Sequence, residues 1–172
     1  VLAVPGLVPL INEMILKFAG PMLFKPFSFQ LNVPQLLSGT NTSIGILTIK
    51  ARSAKDLKAA DRVMGNTIDP YLTLSFNGKD VLAQTKTIEN TLRPVWNETM
   101  YVLVNSFTEP LMITVFDYND DRKDKKMGQL QIDLNEVSEN HVGKNHVGVF
   151  LRNSKPVGEL LYDFEFSPTL EP

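Results

Sequence analysis

Short segments of alternating apolar and polar residues, separated by turn-forming residues, fill the chain from residue 44 onward. A period of two places successive side chains on opposite faces of a strand, and many short strands in succession favour two packed antiparallel sheets. Asn77-Gly78 is a strong signal for a tight turn. The pattern predicts an all-β, eight-stranded antiparallel β-sandwich with one helical turn at residues 135–140. The predicted strands span residues 44–52, 71–76, 81–88, 95–104, 111–116, 129–134, 147–152 and 158–166.

Helical rather than alternating spacing marks the beginning of the chain. Apolar residues recur every three or four positions within residues 8–19, with Pro9 in the first turn and Gly20-Pro21 after the last. An extended, proline-marked run follows at residues 24–33. The chain opens without methionine inside an apolar stretch, so we expect a piece of a longer protein. We predict an N-terminal helical appendage over residues 1–43, a sandwich domain over 44–166 and a linker over 167–172.

Composition excludes several classes of protein. The 172 residues carry a net charge of −2 and no cysteine. A nucleic-acid-binding protein usually shows a basic excess, so we expect no nucleic-acid partner. The lack of cysteine excludes disulfides, thiolate zinc sites and cysteine catalysis.

Catalytic motifs are missing from the sequence. It contains no nucleophile elbow, phosphate-binding loop or His-Glu-x-x-His pattern. The two histidines, His141 and His146, fall between the sixth and seventh predicted strands, where we expect solvated loop side chains. The sequence therefore predicts a protein that is not an enzyme.

Acidic residues stand at the ends of predicted strands. Asp61 follows the first strand, Asp69 precedes the second, and Asp117 ends the fifth. Loops after alternate strands of a sandwich meet at the same end, and calcium takes about six to eight oxygen ligands from such loops. A cation site is one interpretation. The preference of Asp and Asn for turns is the other.

Three motifs that follow one another along residues 44–166 resemble those of C2 domains. Leu57-x-x-x-Asp61 together with Asp69-Pro70-Tyr71-Leu72 resembles the first calcium loop of that family. Leu92-x-Pro94-x-Trp96-Asn97-Glu98 resembles its fourth-strand signature. Val115-Phe116-Asp117, with Gly128 further on, resembles its third loop and the strand after it. The resemblance implies a C2-type sandwich that docks on membranes. An indole hides a large apolar area, so Trp96 is expected to be a buried anchor.

The N-terminal part narrows the resemblance. Val4-Pro5-Gly6-Leu7, the predicted helix and Phe24-x-Pro26-Phe27 resemble the end of the SMP lipid-transfer domain in extended synaptotagmins and fungal tricalbins. That family implies an SMP domain that ends within residues 1–43, and further C2 domains in the full-length chain. It also implies tethering and lipid transfer where the cytosolic face of the endoplasmic reticulum meets the plasma membrane, with anionic phospholipid membrane as the partner.

The family's calcium positions are matched only in part. Three of five acidic positions are matched directly, and in the simplest register the other two hold Asn119 and Lys125. A lysine there would repel a divalent cation by ~4 kcal/mol at intermediate dielectric. A one-residue bulge would place Asp120 and Asp124 at these positions instead. We expect calcium binding to be weak or absent. The candidate ligands are Asp61, Asp69, Asp117, Asn119, Asp120 and Asp124.

Basic residues at the same loop suggest direct contact with lipid. Our hypothesis is that Arg122, Lys123, Lys125 and Lys126 bind anionic headgroups in place of bridging calcium. Lys86 matches one phosphoinositide-contacting position of the family, but its neighbours are uncharged, so we expect weak phosphoinositide selectivity.

Two other functions stay open at this point. One is a protein-interaction sandwich without a membrane role, and the other is a regulatory domain cut from a lipid-modifying enzyme. A homodimer is a further alternative, because the apolar face of the predicted helix must be covered and a second copy of the chain could cover it.

Overall fold

The computed structural model describes residues 44–59, 67–120 and 123–168, so the predicted N-terminal helix and the run at residues 24–33 lie outside the described residues. Antiparallel strands make up most of this part of the chain. No helix within it is long and apolar enough to span a membrane. The elements are β1 (Gly45–Lys55), β2 (Pro70–Phe76), β3 (Ala83–Gln84), β4 (Val95–Val104), β5 (Leu111–Asp117), β6 (Lys125–Ile132), α1 (Leu134–Glu139), β7 (Val142–Arg152) and β8 (Lys155–Pro168).

The eight strands form two layers. Hydrogen-bonded neighbours run in the order β3-β2-β5-β6-β7-β8-β1-β4. All the other neighbours share longer ladders, but β6 and β7 are joined through the single pair Gln129↔Leu151. The sheet therefore divides at this point into a first layer, β3-β2-β5-β6, and a second layer, β7-β8-β1-β4. The predicted all-β, eight-stranded sandwich is confirmed.

Alternating apolar residues from both layers fill the space between them. Leu47, Ile49 and Ala51 of β1 point inward from the second layer, while Leu72 and Leu74 of β2 face them from the first. This inward alternation is the usual way in which a sandwich removes apolar area from water. The alternate positions of each strand that carry large apolar side chains therefore determine which face of the strand points into the core.

Trp96 is the buried anchor that the sequence predicts. Its side chain is part of the core, and the residue is 6% exposed. The indole Nε1 donates to the backbone oxygen of Pro70 at 3.3 Å, which joins β4 to the start of β2 in the opposite layer. The next residue, Asn97, has a φ of 49°. It lies where β4 gains a residue relative to β1, and asparagine tolerates this left-handed conformation.

Gly128 shows why the third-loop motif requires glycine. A Cβ at this position would lie 2.6 Å from Val157 Cγ2 and 3.1 Å from Phe150 Cβ. Strand β6 also has a bulge here, because Val115 pairs with Gly128 whereas Phe116 pairs with Lys126. The close approach of β6 to β7 and β8 therefore leaves no room for a side chain.

Several element boundaries differ from the predictions. Only Ala83–Gln84 of the third predicted strand pairs as a strand, because the Thr85 hydroxyl accepts the Leu72 N–H at 2.9 Å and interrupts the regular ladder. Strand β6 begins at Lys125 rather than at residue 129, within a charged run that resembles a loop in sequence. Strand β8 also continues to Pro168, two residues beyond the predicted end of the eighth strand at residue 166.

The loop interpretation of the histidines is wrong for His146. Strand β7 begins at Val142, and a bulge around Asn145, with a φ of 56°, absorbs residues that resemble a turn in sequence. The imidazole of His146 lies 5.0 Å from the Phe164 ring, between centroids. His141 precedes the strand, is exposed and lies edge-on to Phe166.

An ion pair with a buried carboxylate ties three strands of the second layer together. Arg52 donates to Asp163 Oδ2 from Nε at 2.9 Å and from NH2 at 2.7 Å. The N–H of Asn145 donates to Asp163 Oδ1 at 2.7 Å. Burial acts to raise the pKa of Asp163, but these hydrogen bonds and the guanidinium charge outweigh it and hold the pKa below its usual 3.8. The folded state therefore favours the ionised carboxylate.

Asp163→Asn is expected to destabilise the sandwich by about 2 kcal/mol, because an amide must turn a donor toward either the guanidinium or the Asn145 N–H. Because the folded pKa is lowered, the stability from this carboxylate is present above its unfolded value of about 3.8 and is lost as pH falls through the folded value. Urea unfolding of the variant and the parent, from neutral pH down to about pH 3, measures both effects.

The matched control is Glu159→Gln, which removes the exposed ion pair between Lys55 and Glu159 at 2.9 Å on the same strand. Exposed pairs contribute little to stability. An Asp163→Asn variant no less stable than this control, or a stability difference that does not shrink in acid, would contradict the assignment.

Candidate functional site

Loops from both layers meet at one end of the sandwich, which we call the upper pole: residues 56–59, 67–69, 85–94, 118–120, 123–124 and 153–154. The start of β2 and the end of β5 are adjacent there, because Pro70 pairs with Asp117. Asp117 pairs in turn with Lys125 at the start of β6. The connection to β4 closes over the same end through Thr91 N–H, which donates to the Ile68 oxygen at 2.9 Å.

Asp69 and Asp117 are brought together at the upper pole. Asp117 Oδ1 accepts the backbone N–H of Asp69 at 2.9 Å. Asp69 Oδ1 accepts the N–H of Asn90 at 2.7 Å, and its backbone oxygen accepts the N–H of Tyr118 at 3.0 Å. One oxygen of each carboxylate is therefore engaged by a backbone amide. The third matched acidic residue, Asp61, lies outside the described residues.

Asp124 closes the loop between β5 and β6 through bonds to protein groups. Its Oδ2 accepts the Tyr71 hydroxyl at 2.6 Å, and its Oδ1 accepts the Asn119 N–H at 3.0 Å. The Asn119 side chain donates from Nδ2 to the Asp117 oxygen at 3.0 Å. Burial, the bond to Asp124 and its negative charge together raise the pKa of Tyr71 above the usual 10. Both carboxylate oxygens of Asp124 thus already have donors.

Asp120 lies further out on the same loop. It is exposed, and the Tyr118 hydroxyl bonds to it, which raises the pKa of Tyr118. Within the described parts of the chain, no group of three or more histidine or acidic side chains has an arrangement that could hold a metal ion. The structure therefore gathers the described candidate ligands at one pole, where they mostly bind amides and hydroxyls of the protein.

Lysines lie beside these acidic groups. Lys123, Lys125 and Lys126 are exposed. Directly paired residues share a face of the sheet, so Lys125 lies on the same face as Asp117. Lys126 lies on the opposite face and donates from Nζ to Gln129 Oε1 at 2.8 Å. Arg122, the fourth predicted lipid contact, lies outside the described residues.

Lys86 joins Lys126 on the outer face of the first layer. Thr85 N–H donates to the Leu72 oxygen at 2.9 Å, so the next residue, Lys86, runs beside Tyr71. Tyr71 pairs with Phe116, which pairs with Lys126. The rings of Tyr71 and Phe116 stack with centroids 5.5 Å apart. The two lysines therefore flank a pair of stacked aromatic rings.

A carboxylate lies next to the backbone of Lys86. The backbone N–H of Lys86 donates to both oxygens of Glu98, at 3.1 and 3.3 Å. Gln84, which pairs with Thr73, is exposed and uncharged. The low charge agrees with the expectation of weak phosphoinositide selectivity, which stays a prediction.

Sequence reasoning missed Arg152, which holds the base of the first loop. Its guanidinium donates to the backbone oxygens of Lys58, Ala59 and Met127 at 3.4, 3.3 and 3.2 Å. These bonds connect Lys58 and Ala59, the last described residues before residue 67, to Met127 of β6. A single arginine at a strand end has no sequence signal that distinguishes this role from a solvated charge.

Tyr71→Phe is expected to lower the free energy of unfolding by about 1 kcal/mol, because it removes the hydrogen bond to Asp124. The same change should speed hydrogen exchange of the Asn119 amide, which Asp124 also binds. Tyr118→Phe is the control, since that hydroxyl bonds to an exposed carboxylate on the same loop. Equal exchange at Asn119 in the two variants would contradict a closing role for Tyr71.

Comparisons with known proteins agree with this architecture. A model of the family described as C2 domain matches residues 45–148. Tricalbin-1 of Saccharomyces cerevisiae is 52% identical over 171 residues, which cover 99% of this chain and 14% of that protein. The chain thus spans only a small part of this relative.

Two solved structures of extended-synaptotagmin 2 are also similar. One contains its SMP domain and two C2 domains; it has a TM-score of 0.58 and 28% identity, over 95% of this chain and 36% of that chain. The other contains the two C2 domains with calcium bound, and it has a TM-score of 0.58 and 29% identity over 72% of this chain and 46% of that chain.

Proposed function

Because the chain belongs to the C2 domain family, we propose that it is a peripheral module that docks on anionic phospholipid membranes through its upper pole. The observation that supports this most is a contrast within one loop. Asp124 binds Tyr71 and Asn119 within the protein, whereas the neighbouring Lys123 is exposed. Such a loop offers positive charge outward and keeps its shape by internal hydrogen bonds.

Calcium dependence is weak or absent in this proposal. A cation at the pole would have to displace the donors on both oxygens of Asp124, and one oxygen each of Asp69 and Asp117 is already bound by a backbone amide. It would also approach Lys125, which shares a face with Asp117 and would repel it. The remaining oxygen groups are those of Asn119, Asp120 and Asp61, which lies outside the described residues, and they suit calcium as a cofactor poorly.

The relatives of this module support a proposal about its setting. We infer that it is the first C2 domain of a tether between endoplasmic reticulum and plasma membrane, preceded by an SMP domain that ends within residues 1–43. Tricalbin-1 and the extended-synaptotagmin 2 structure that contains an SMP domain both match nearly the whole chain, including part of that segment. In this setting the chain contributes lipid binding on the cytosolic face of the contact, lipid transfer belongs to the rest of the protein, and catalysis has no part.

Sedimentation of the whole chain with vesicles tests this function. Binding is expected to vesicles that contain phosphatidylserine, to be similar in EGTA and in calcium, and to weaken as salt rises, since exposed charges are screened. Vesicles of phosphatidylcholine alone are the control. Binding that appears only with calcium would overturn the calcium-independent mechanism, and failure to bind any anionic vesicle would overturn membrane docking.

A protein-interaction role is the second candidate, because of one surface. Val147, Val149 and Leu151 of β7 form an exposed row on the outer face of the second layer. Exposed apolar rows of this kind often contact other proteins. Substitution of all three by serine should leave vesicle binding unchanged if the membrane function resides at the upper pole.

A further inference from the structure

The lower ends of β1 and β4 are buried on both faces. Leu47 and Val102 pair with each other and belong to the core. Ile46 and Leu103 also pair with each other but lie outside that core, and they are only 6% and 7% exposed. Alternation along the strands turns this second pair to the outer face. The outer face of an antiparallel sheet is normally solvated and polar, so apolar burial there needs a cover.

Two polar groups next to this pair are also withdrawn from water. Thr48 and Tyr101 lie directly opposite each other on the same outer face. Thr48 Oγ1 is buried and has no hydrogen-bond partner among the described residues. Burial raises the pKa of Tyr101. We call Ile46, Thr48, Tyr101 and Leu103 the outer patch.

Apolar side chains elsewhere on this face are much more exposed than Ile46 and Leu103. Further along β4, Val95 is 58% exposed, and on β7 Val142 and Val147 are 54% and 59% exposed. The outer patch lies where the chain enters the sandwich, because the N–H of Ile44 donates to the Val104 oxygen at 2.8 Å. The cover is therefore to be sought in residues close in sequence to this entry point.

One stretch before the entry point has a matching pattern. Residues 27–33 read Phe-Ser-Phe-Gln-Leu-Asn-Val, so that Phe27, Phe29, Leu31 and Val33 fall on one side of an extended chain. Residues 34–43 connect this stretch to Ile44 and can span up to ~33 Å at about 3.3 Å per residue. Such a short connection gives a high effective concentration at the outer patch.

We propose that residues 27–33 bind the outer patch with their apolar side and so fix the sandwich against the part of the chain that precedes it. The surface is distinct from the upper pole and adds a function to membrane docking. A sandwich held in this way presents its upper pole in a fixed direction relative to the preceding domain. Ser28, Gln30 and Asn32 would face away from the sheet.

Cysteine labelling of the whole chain tests the proposal, because the sequence contains no cysteine. Leu103→Cys reports on the outer patch, and Val147→Cys, on the same outer face, is the exposed reference. A maleimide should label the first variant at least about tenfold more slowly than the second, as expected for a covered side chain. Thr48→Cys gives the same readout if Leu103→Cys does not fold. Equal labelling rates would overturn the proposal.

A second pair of variants identifies the covering segment. Phe29→Asp with Leu31→Asp, placed in the Leu103→Cys background, should raise its labelling rate to nearly that of Val147→Cys. Ser28→Asp with Gln30→Asp adds the same charge on the other side of the segment and should leave the rate low. Trp96 fluorescence confirms that each variant is folded. A rate that stays low in the first pair, or rises only when residues 169–172 are deleted, would overturn the assignment.

Discussion

Reversal of Lys123, Lys125 and Lys126 to glutamate is expected to weaken binding to phosphatidylserine vesicles by about 100-fold or more. Each basic residue near an anionic surface contributes ~1 kcal/mol. Three lost attractions therefore amount to about 3 kcal/mol, and ~1.4 kcal/mol corresponds to a factor of ten in affinity. Each new carboxylate would add repulsion. Vesicle sedimentation at low and physiological salt measures the change.

The matched control reverses Lys50, Lys79 and Lys144, which are exposed but lie away from the upper pole. Both triple variants change the net charge equally, so a general effect of charge would weaken them to the same extent. Affinity should fall clearly further in the upper-pole variant than in the control. Equal losses, or unchanged binding of the upper-pole variant, would rule out this pole as the docking surface.

Trp96→Ala should destabilise the sandwich by about 3–5 kcal/mol, enough to unfold a substantial fraction of many domains of this size. The substitution empties the space that the indole fills between the layers and removes the hydrogen bond to the Pro70 oxygen. Thermal and urea unfolding followed by circular dichroism measure the loss, since the variant has no tryptophan left to report by fluorescence.

Trp96→Phe separates the two contributions. Phenylalanine keeps much of the apolar volume but cannot donate to Pro70, so a loss of about 1–2 kcal/mol is expected from the unpaired oxygen and the smaller ring. Val95→Ala is the surface control, because that neighbouring side chain is exposed. A Trp96→Ala variant as stable as this control would mean that the motif does not anchor the layers.

Much of the fold was predictable because strand alternation and turn residues are local signals. Val95–Val104 has the predicted bounds, and Asn77-Gly78 turns the chain with φ values of 51° and 66°, as such a dipeptide favours. Predictions were less accurate where bulges intervene. The start of β6 and the bulge of β7 around Asn145 look like loops in sequence, because an inserted residue breaks the period on which strand prediction depends.

The candidate site was predictable in its place but not in its bonding. The positions of Asp69 and Asp117 at strand ends were enough to bring them to one pole, since antiparallel strands of similar length end together. The partner of Asp124 could not be read from the sequence. Tyr71 is 53 residues away along the chain. It reaches the Asp124 carboxylate because β2 pairs with β5 and β5 pairs with β6.

By itself, the sequence determined the class of fold, the buried tryptophan and the place of Asp69 and Asp117 at one pole, because periodicity, turn chemistry and side-chain type are properties of neighbouring residues. Only the tertiary structure decided that Asp124 is held by Tyr71, that Arg152 secures the first loop, and that Ile46 and Leu103 are buried on an outward face. The first two features depend on contacts between residues far apart in the chain, where packing and desolvation choose among partners that the sequence leaves equivalent. The third depends on which face of a strand is removed from water, and strand alternation alone does not decide that.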